Sequence, residues 1–411
     1  MKTKLIFITI AVLALAVVRA NVAFADVQKL NMDDALREAL SKSPLVAEIE
    51  RNYAFKEADA LEAGRLSNPS LDAEVALPRS WRDERGENEI AVSLTQPIKL
   101  SHGPLRNRLA TLIEKAGSSA REQEILELTS KVRLSFARIW LLQQREAALG
   151  EIAPKTKSLT DFVSSGLSQG AYGKGDAAIF KSEIARTEAE LVGLKAEKLQ
   201  SQFELSKILG RSLDGILLIQ PEVPKEVELS TIETRLQDSS LKLFTRARTI
   251  VDLARADSDV ANRDAFPELR PRIFYARSDA ATNYIGFGIS VDLPFYSRNS
   301  AERIRKSSEL SASQAQLTFL QSDDFKRSVT NVARAFNLRR SEVEIYRARV
   351  IPNMQEALKA FEEQVRSGQG SVFQLWQTLQ SYLETNERYL ELWSKTFSDY
   401  TELSLLAGEE L

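Results

Sequence analysis

The chain holds few side chains of the kinds that catalyse reactions or bind metals. Its 411 residues include no cysteine and a single histidine, His102, which lies beside Gly103 and Pro104 and is expected in a solvated turn. Thiol catalysis, cysteine metal sites and a histidine metal cluster are therefore excluded. The sequence has no GxxxxGK[ST] loop, and its carboxylates are scattered along helix faces. It predicts neither an enzyme nor a bound cofactor or metal, and its net charge of -2 indicates no nucleic-acid partner.

One pair of acidic side chains has a spacing that could attract cations. Asp72 and Glu74 alternate with Leu71, Ala73 and Val75, so both carboxylates lie on one face of a predicted strand. If that face lined a pore, the pair would favour cations. If the strand belonged to a soluble sheet, the pair would be an ordinary solvated face. The sequence leaves both interpretations open.

Four segments with period-2 patterning are predicted as strands, namely LDAEVAL, EIAVSLT, RIFYARS and YIGFGISVDL. A half-buried soluble sheet is one interpretation. Segment lengths near the ~9–11 residues of a tilted membrane strand, together with an export signal, favour an outer-membrane barrel. Barrels begin at about eight strands and lipid forbids open edges, so if the four strands lie in a membrane the chain must oligomerise. A dimer would give eight strands and a trimer twelve.

The first 25 residues are predicted to be a secretory signal. Lys2 and Lys4 precede the apolar run LIFITIAVLALAVV, and Ala23-Phe24-Ala25 is a small-x-small cleavage site. A retained membrane anchor would need about 20 apolar residues. We expect no transmembrane helix after export, and the lack of cysteine excludes a lipid anchor on an N-terminal cysteine.

The rest of the chain is an internal duplication. The segment LTQPIKLSHGPLRNR from Leu94 aligns with VDLPFYSRNSAERIR from Val291, an offset of 291 − 94 = 197 residues. This period is too long for a solenoid and indicates a duplicated half-molecule. We divide the chain into the signal at 1–25, a first repeat at 26–210 with a strand hairpin at 70–97, a linker or equatorial segment at 211–238, and a second repeat at 239–408 with a hairpin at 270–294.

Each repeat is predicted to have one helix before its hairpin and a very long helix after it. The predicted ranges are 32–66 and 236–264 for the first kind and 104–167 and 300–366 for the second. Asp33 or Asp34 is the predicted cap of the first helix. Each long helix contains a proline, Pro154 or Pro352, which kinks or breaks it. We favour a kink because the denser turn signal comes later.

Glycine-rich turns, SQGAYGKGD and RSGQGS, end the long helices and lead into returning helices. Their glycines permit positive φ, and Asp176 and Ser371 are the predicted N-caps. Each returning helix repeats its seam residues in steps of 4 and 3, which predicts coiled-coil core packing. In the second helix these are Val372, Trp376, Leu379, Leu383, Asn386, Leu390, Trp393, Phe397 and Tyr400. The first helix has a more polar seam, which includes Lys198. Asn386 and Lys198 are the seam residues that could fix the register.

This ordered set of elements resembles the TolC-type outer-membrane efflux family over nearly all of residues 30–408. NPSLDAEV, LTQPIKLSHGPLRNR and VDLPFYSRNSAE are most similar to its heavy-metal cation (cobalt-zinc-cadmium type) subgroup. There, a Pro-aromatic-x-x-Arg-Asn segment follows the last strand, as Pro294, Phe295, Arg298 and Asn299 do here.

The resemblance implies a mainly α fold with a small β part, assembled as a homotrimer. Its outer-membrane β-barrel, with four strands per chain, would continue into a long coiled-coil α-helical barrel. A periplasmic membrane-fusion adaptor and an inner-membrane pump would dock at the tip turns, which comprise Gly173, Gly175, Asp176, Gly368, Gly370 and Ser371. The aperture-facing positions would be Ile179, Ser182, Gln374 and Gln377. Because some drug-type members have acidic residues where this chain has the two glutamines, we expect no acidic gate.

The implied function is a passive exit duct of a tripartite efflux system in the outer membrane, extending into the periplasm. It would conduct heavy-metal cations, contact outer-membrane lipid and need no cofactor, with Asp72 and Glu74 lining its lumen near the outer mouth. The alternative is a periplasmic coiled-coil tether or scaffold without a pore.

Overall fold

The computed structural model describes residues 28–76, 89–99, 101, 103–168, 173–278, 283–291 and 298–411. The predicted export signal, His102, Pro294 and Phe295 lie outside the described residues. Within these ranges the chain is mainly helical and contains two small sheets, one of two strands and one of four. None of the helices described there is both long and apolar enough to cross a membrane.

The order of helices and strands along the chain is similar in its two halves. They are β1 (Lys29–Leu30), α1 (Met32–Lys42), α2 (Pro44–Gly64), β2 (Ser70–Ala76), β3 (Glu89–Thr95), α3 (Pro104–Ser168), α4 (Lys174–Leu209), β4 (Leu217–Leu218), α5 (Leu229–Gln237), α6 (Lys242–Arg263), β5 (Leu269–Ser278), β6 (Asn283–Val291), α7 (Ser300–Gln321), α8 (Asp323–Ile345), a π-helix (Tyr346–Val350), α9 (Ile351–Arg366) and α10 (Val372–Ala407).

The chain forms two compact units, and each unit takes segments from both halves. The first unit comprises residues 28–46, 127–227 and 332–403, and the second comprises 47–126, 228–331 and 404–411.

The first unit is held together by a core between the long and the returning helices. Trp393 of α10 is fully buried, and its ring centroid lies 4.2 Å from that of Trp140 on α3. Leu390 belongs to the same buried cluster. On the more polar seam of α4, Leu205 is fully buried and Lys198 forms an ion pair with Glu146 of α3. The predicted core packing of both seams is therefore confirmed.

The segment 217–227, here called the strap, is held to the rest of this unit through its backbone N–H and C=O groups. β1 and β4 pair in parallel, with Lys29 opposite Leu217. The side-chain amide of Asn337 accepts a hydrogen bond from the N–H of Val227 at 3.1 Å and donates one to its C=O at 2.8 Å. The amide thus substitutes for a neighbouring strand at the end of the strap.

The second unit contains a four-stranded antiparallel sheet with the strand order β2-β3-β5-β6. Its register places Leu71 opposite Leu94, Leu94 opposite Ile273, and Ile273 opposite Phe287. Because side chains alternate between the faces of a strand, the apolar residues of all four strands share one face. β3 and β5 join the two predicted hairpins.

A largely buried ion pair lies where the sheet connects to the helices. Arg106 of α3 lies 2.8 Å from Asp264, the C-cap of α6, and the two side chains are only 16% and 20% exposed. Buried Ser101 donates to Asp264 and accepts from Arg106 Nε at 3.0 Å. Arg303, which aligns with Arg106 in the second repeat, donates to Asn262 of the same helix at 2.8 Å. Both repeats therefore use an arginine to fix the start of their long helix to α6.

The helix predicted at 32–66 is in fact two helices. It divides at Ser43, because Pro44 lacks an N–H and disfavours helical backbone in the residue before it. The N-cap is Asn31, whose side chain accepts a hydrogen bond from the N–H of Asp34 at 2.7 Å, so the predicted caps Asp33 and Asp34 are wrong.

The segment predicted as a linker contains β4 and α5. The helix predicted at 236–264 begins later, at Lys242. The chain turns between these helices at Ser239, which has a positive φ of 49°. The predicted linker or equatorial segment at 211–238 therefore includes regular secondary structure.

The two long helices differ in continuity. α3 runs through Pro154 without interruption, in agreement with the favoured interpretation. The second is interrupted at Ser322, whose extended backbone ends α7 and whose Oγ accepts from the N–H of Phe325 at 3.2 Å to cap α8. Pro352 follows a π-helical turn at Tyr346–Val350. A single unbroken second helix is therefore a wrong prediction.

Candidate functional site

One face of the four-stranded sheet is apolar and exposed on every strand. Its large side chains are between 38% and 80% exposed; they are Leu71, Val75, Ile90, Val92, Leu94, Leu269, Ile273, Tyr275, Ile285, Phe287, Ile289 and Val291. A sheet in a soluble domain buries such a face against another layer. A contiguous exposed apolar surface instead marks contact with lipid or with another protein.

The sheet also has two open edges. Among the residues described, β2 pairs only with β3, and β6 pairs only with β5. An open edge presents unpaired N–H and C=O groups, which are costly in hydrocarbon. Four strands are too few to close into a barrel. If the apolar face lies in a membrane, the missing strands must come from other copies of the chain.

The opposite face of the sheet is polar and mixed in charge. Asp72 and Glu74 lie on this face and are exposed. The same face also carries Arg270 and Arg272 of β5, at the end of the strands nearer the helices. These arginines were not predicted as site residues, although alternation with Ile273 places them on the polar side. Among the residues described, no group of three or more His, Asp or Glu side chains is placed to hold a metal ion.

The two glycine turns lie at one end of the helical core of the first unit. α4 and α10 begin immediately after these turns, and they contact each other through Phe180 and Trp376, whose ring centroids are 5.9 Å apart. Ala177 and Val372, in the first turns of the two helices, belong to the same buried cluster. The fold therefore brings together two turns that are nearly 200 residues apart in sequence.

In the second turn, the glycines are required by the backbone. Gly368 has a φ of +76°, a backbone conformation that residues other than glycine rarely adopt. At Gly370 an added Cβ would lie 2.9 Å from the carbonyl carbon of Gln364. Ser371 directly precedes α10, and its C=O accepts the N–H of Leu375 at 3.1 Å. Ser371 therefore occupies the predicted N-cap position.

The first turn differs from the prediction. α4 begins at Lys174, so Gly175 and Asp176 lie inside its first turn, and Asp176 is not the N-cap. The C=O of Gly173 accepts the N–H of Ala177 at 3.3 Å. Nothing lies within 4 Å of a Cβ added at Gly175. A helix start one turn earlier than expected therefore makes the second glycine dispensable for the local backbone.

All four positions predicted to face an aperture are exposed, namely Ile179, Ser182, Gln374 and Gln377. Next to them lies a polar network that the sequence analysis missed. Arg186 of α4 lies 2.8 Å from Glu183 and donates to Gln380 of α10 at 2.9 Å. Gln380 in turn donates to Glu183 at 3.4 Å. The i,i+3 charge pair was visible in the sequence, but the contact between the helices has no local signal.

Comparison with known proteins identifies the fold. A family model described as "Outer membrane efflux protein" matches residues 35–211. No curated protein matches the chain in sequence. Among solved structures, the outer membrane protein VceC of Vibrio cholerae is similar with a TM-score of 0.72 and 15% identity, over 92% of this chain and 96% of that one.

Two further structures give similar values. CusC, described in terms of folding and transmembrane channel formation, has a TM-score of 0.71 and 15% identity, over 92% of each chain. The open state of the MtrE outer membrane channel of Neisseria gonorrhoeae has a TM-score of 0.70 and 14% identity, over 92% of this chain and 89% of that one. The chain therefore has the fold of outer-membrane channel proteins, and the predicted fold class is confirmed.

Proposed function

We propose that the protein is the outer-membrane exit duct of a tripartite efflux system. The observation that carries this proposal is the apolar sheet face, exposed on all four strands of a chain with a channel fold. Burial of such a face in a bilayer lowers the free energy of the protein, whereas in water the same face would promote aggregation. The family match over residues 35–211 supports the same function.

Several copies are needed to build the pore. Three copies would contribute twelve strands and close the edges of β2 and β6 against one another, with the apolar face towards lipid and the polar face towards the lumen. Two copies would contribute eight strands. The resemblance to the TolC-type family favours the homotrimer, which would span the outer membrane and extend into the periplasm.

The glycine turns of the first unit are the proposed docking surface for a periplasmic membrane-fusion adaptor. This surface comprises Gly173, Gly175, Asp176, Gly368, Gly370 and Ser371. Its support is the defined backbone of the second turn and the common core beneath both turns. Ile179, Ser182, Gln374 and Gln377 would surround the aperture, through which an inner-membrane pump would deliver cargo. The duct itself would do no chemistry.

Heavy-metal cations are the cargo that the sequence resemblance suggests. Asp72 and Glu74 on the polar face would attract such cations towards the lumen wall. The double variant Asp72→Asn, Glu74→Gln is therefore expected to lower the permeability of the pore to Zn²⁺ relative to Cl⁻. An unchanged ratio would exclude this role for the pair.

Membrane extraction and conductance test the proposed duct against the alternative tether. A duct should remain with the outer membrane until detergent is added, migrate as a heat-modifiable trimer, and form ion-conducting pores in planar bilayers. A tether with a soluble sheet should be released without detergent and conduct nothing. Release without detergent together with a lack of conductance would show that the proposal is wrong.

A further inference from the structure

The polar face of the sheet is graded in charge along its strands. The register defines three rows: Ser70, Thr95, Arg272 and Gly288; then Asp72, Ser93, Phe274 and Gly286; then Glu74, Ala91, Ala276 and Tyr284. Arg270 lies before the first row, and Glu89 lies after the third. Basic side chains therefore occupy the end nearer the helices, and acidic side chains occupy the far end.

Between these charged ends, an aromatic platform is built around Phe274. The guanidinium carbon of Arg272 lies 5.1 Å from the centroid of the Phe274 ring. The ring lies over Gly286, where an added Cβ would fall 2.3 Å from its Cζ. It meets Tyr284 edge to face, with the two centroids 6.4 Å apart. The Phe274 ring can therefore occupy this position only because residue 286 has no side chain.

Arg272 presents a guanidinium without an acidic partner beside this ring. In the described part of the chain, no carboxylate lies within ion-pair distance of it, whereas Arg270 lies 3.0 Å from Glu268. Arg272 and Asp72 both line a groove of about 590 Å³, but the strand of Asp72 is two spacings away from that of Arg272, about 10 Å. The fork of N–H donors on Arg272 is therefore available to an anion in the groove.

We propose that Arg272 and Phe274 form a binding site for aromatic carboxylates on the wall of the duct. The carboxylate would accept two hydrogen bonds from the guanidinium, and the aryl ring would contact the ring of Phe274. A non-aromatic carboxylate makes only the first of these contacts, and a metal cation is repelled by Arg272. This site rests on the proposed duct, and it adds a class of organic anion to the cargo.

Block of single-channel current in planar bilayers tests the site. The probe is 1-naphthoate, and cyclohexanecarboxylate is the non-aromatic control. We expect 1-naphthoate to block the wild-type pore at a concentration several-fold lower than the control. Arg272→Gln should raise the blocking concentration at least about tenfold, because it removes charge-assisted hydrogen bonds. Arg277→Gln, the same change on the opposite face of the same strand, should leave the block unchanged.

Two further comparisons separate the ring from the charge. Phe274→Leu keeps the charge of Arg272 and should abolish the preference for 1-naphthoate over the control. Gly286→Ala displaces the ring and should have the same effect.

The outcomes distinguish the site from the duct. A conducting wild-type pore that is blocked equally by both carboxylates, or variants that are all blocked like the wild type, would overturn the site and leave the duct intact. A wild-type protein that forms no pore would overturn both. If Arg272→Gln does not assemble, Arg272→Lys keeps the positive charge but loses the fork, and it should still weaken the block.

Discussion

Placing a charge on the apolar face of the sheet separates a membrane barrel from a soluble sheet. Phe287 is the middle residue of β6 and is 80% exposed in the chain. On a soluble sheet, Phe287→Arg would be a surface substitution that changes the free energy of unfolding by less than about 0.5 kcal/mol. In a barrel, the arginine would face the centre of the bilayer, at a cost of about 2–4 kcal/mol per copy.

Three copies would multiply this cost. If the contributions add, the trimer loses about 6–12 kcal/mol, and even the lower value corresponds to about a 10⁴-fold shift in the folding equilibrium. Phe287→Arg should therefore remove the heat-modifiable trimer from the outer membrane, as measured by electrophoresis of unheated and heated membrane fractions.

Two control variants carry the same arginine at other places in the sheet. Glu74→Arg lies on the polar face and should assemble normally. Leu269→Arg lies at the first residue of β5, where the cost falls to about 0–1 kcal/mol near the membrane interface. Wild-type amounts of membrane-embedded trimer from Phe287→Arg would refute the assignment of this face to lipid.

Three further predictions concern the junction, the tip turns and the link between the returning helices. Arg106→Ala leaves the largely buried carboxylate of Asp264 without its ion-pair partner, so it should destabilise the protein by about 3 kcal/mol and lower the midpoint of thermal unfolding. Arg305→Ala, at an exposed ion pair, should cost under about 1 kcal/mol. Equal midpoints for the two variants would contradict this prediction. Gly370→Ala should make the second glycine turn susceptible to limited proteolysis, because the added Cβ meets backbone atoms. Gly175→Ala lies inside helix α4 with free space around the added Cβ, so it should stabilise that helix by about 0.5–1 kcal/mol. Similar cleavage of both variants would show that the close approach at Gly370 is unimportant. Gln380→Ala removes the hydrogen bonds that join α4 to α10 and should raise single-channel conductance, and an unchanged conductance would exclude a restraining role for this link.

Much of the fold could be predicted because it is periodic. The stripe that includes Trp393 and Phe397 repeats every 3.5 residues, and the structure buries both side chains. The alternation around Ile273 and Phe287 likewise placed the apolar side chains of the strands on one face. Such patterns survive in a single sequence because each repeats one physical requirement several times.

The remaining features depend on single contacts. The break at Ser43 follows from one proline, and the break at Ser322 follows from one hydroxyl that caps the next helix. The stack of Arg272 on Phe274 requires the register between β5 and β6, because Gly286 must lie beneath the ring. Neither the amino-acid composition nor the periodicity of the sequence determines the register between β5 and β6. The candidate site on the polar face could therefore not be found from the sequence alone.

The central claim is that β2 of one copy pairs with β6 of the next, and cysteine cross-linking tests it most directly. The chain has no native cysteine, so Ala73→Cys can be combined in turn with Ile285→Cys, Phe287→Cys or Ile289→Cys on an unmodified background. Within one chain these strands are three spacings apart, about 14 Å, which is too far for a disulfide. We predict that at least one pair, oxidised in the membrane, gives a covalent ladder that stops at three chains. Chains that remain monomeric with every pair, or a ladder that continues beyond three, would contradict the account.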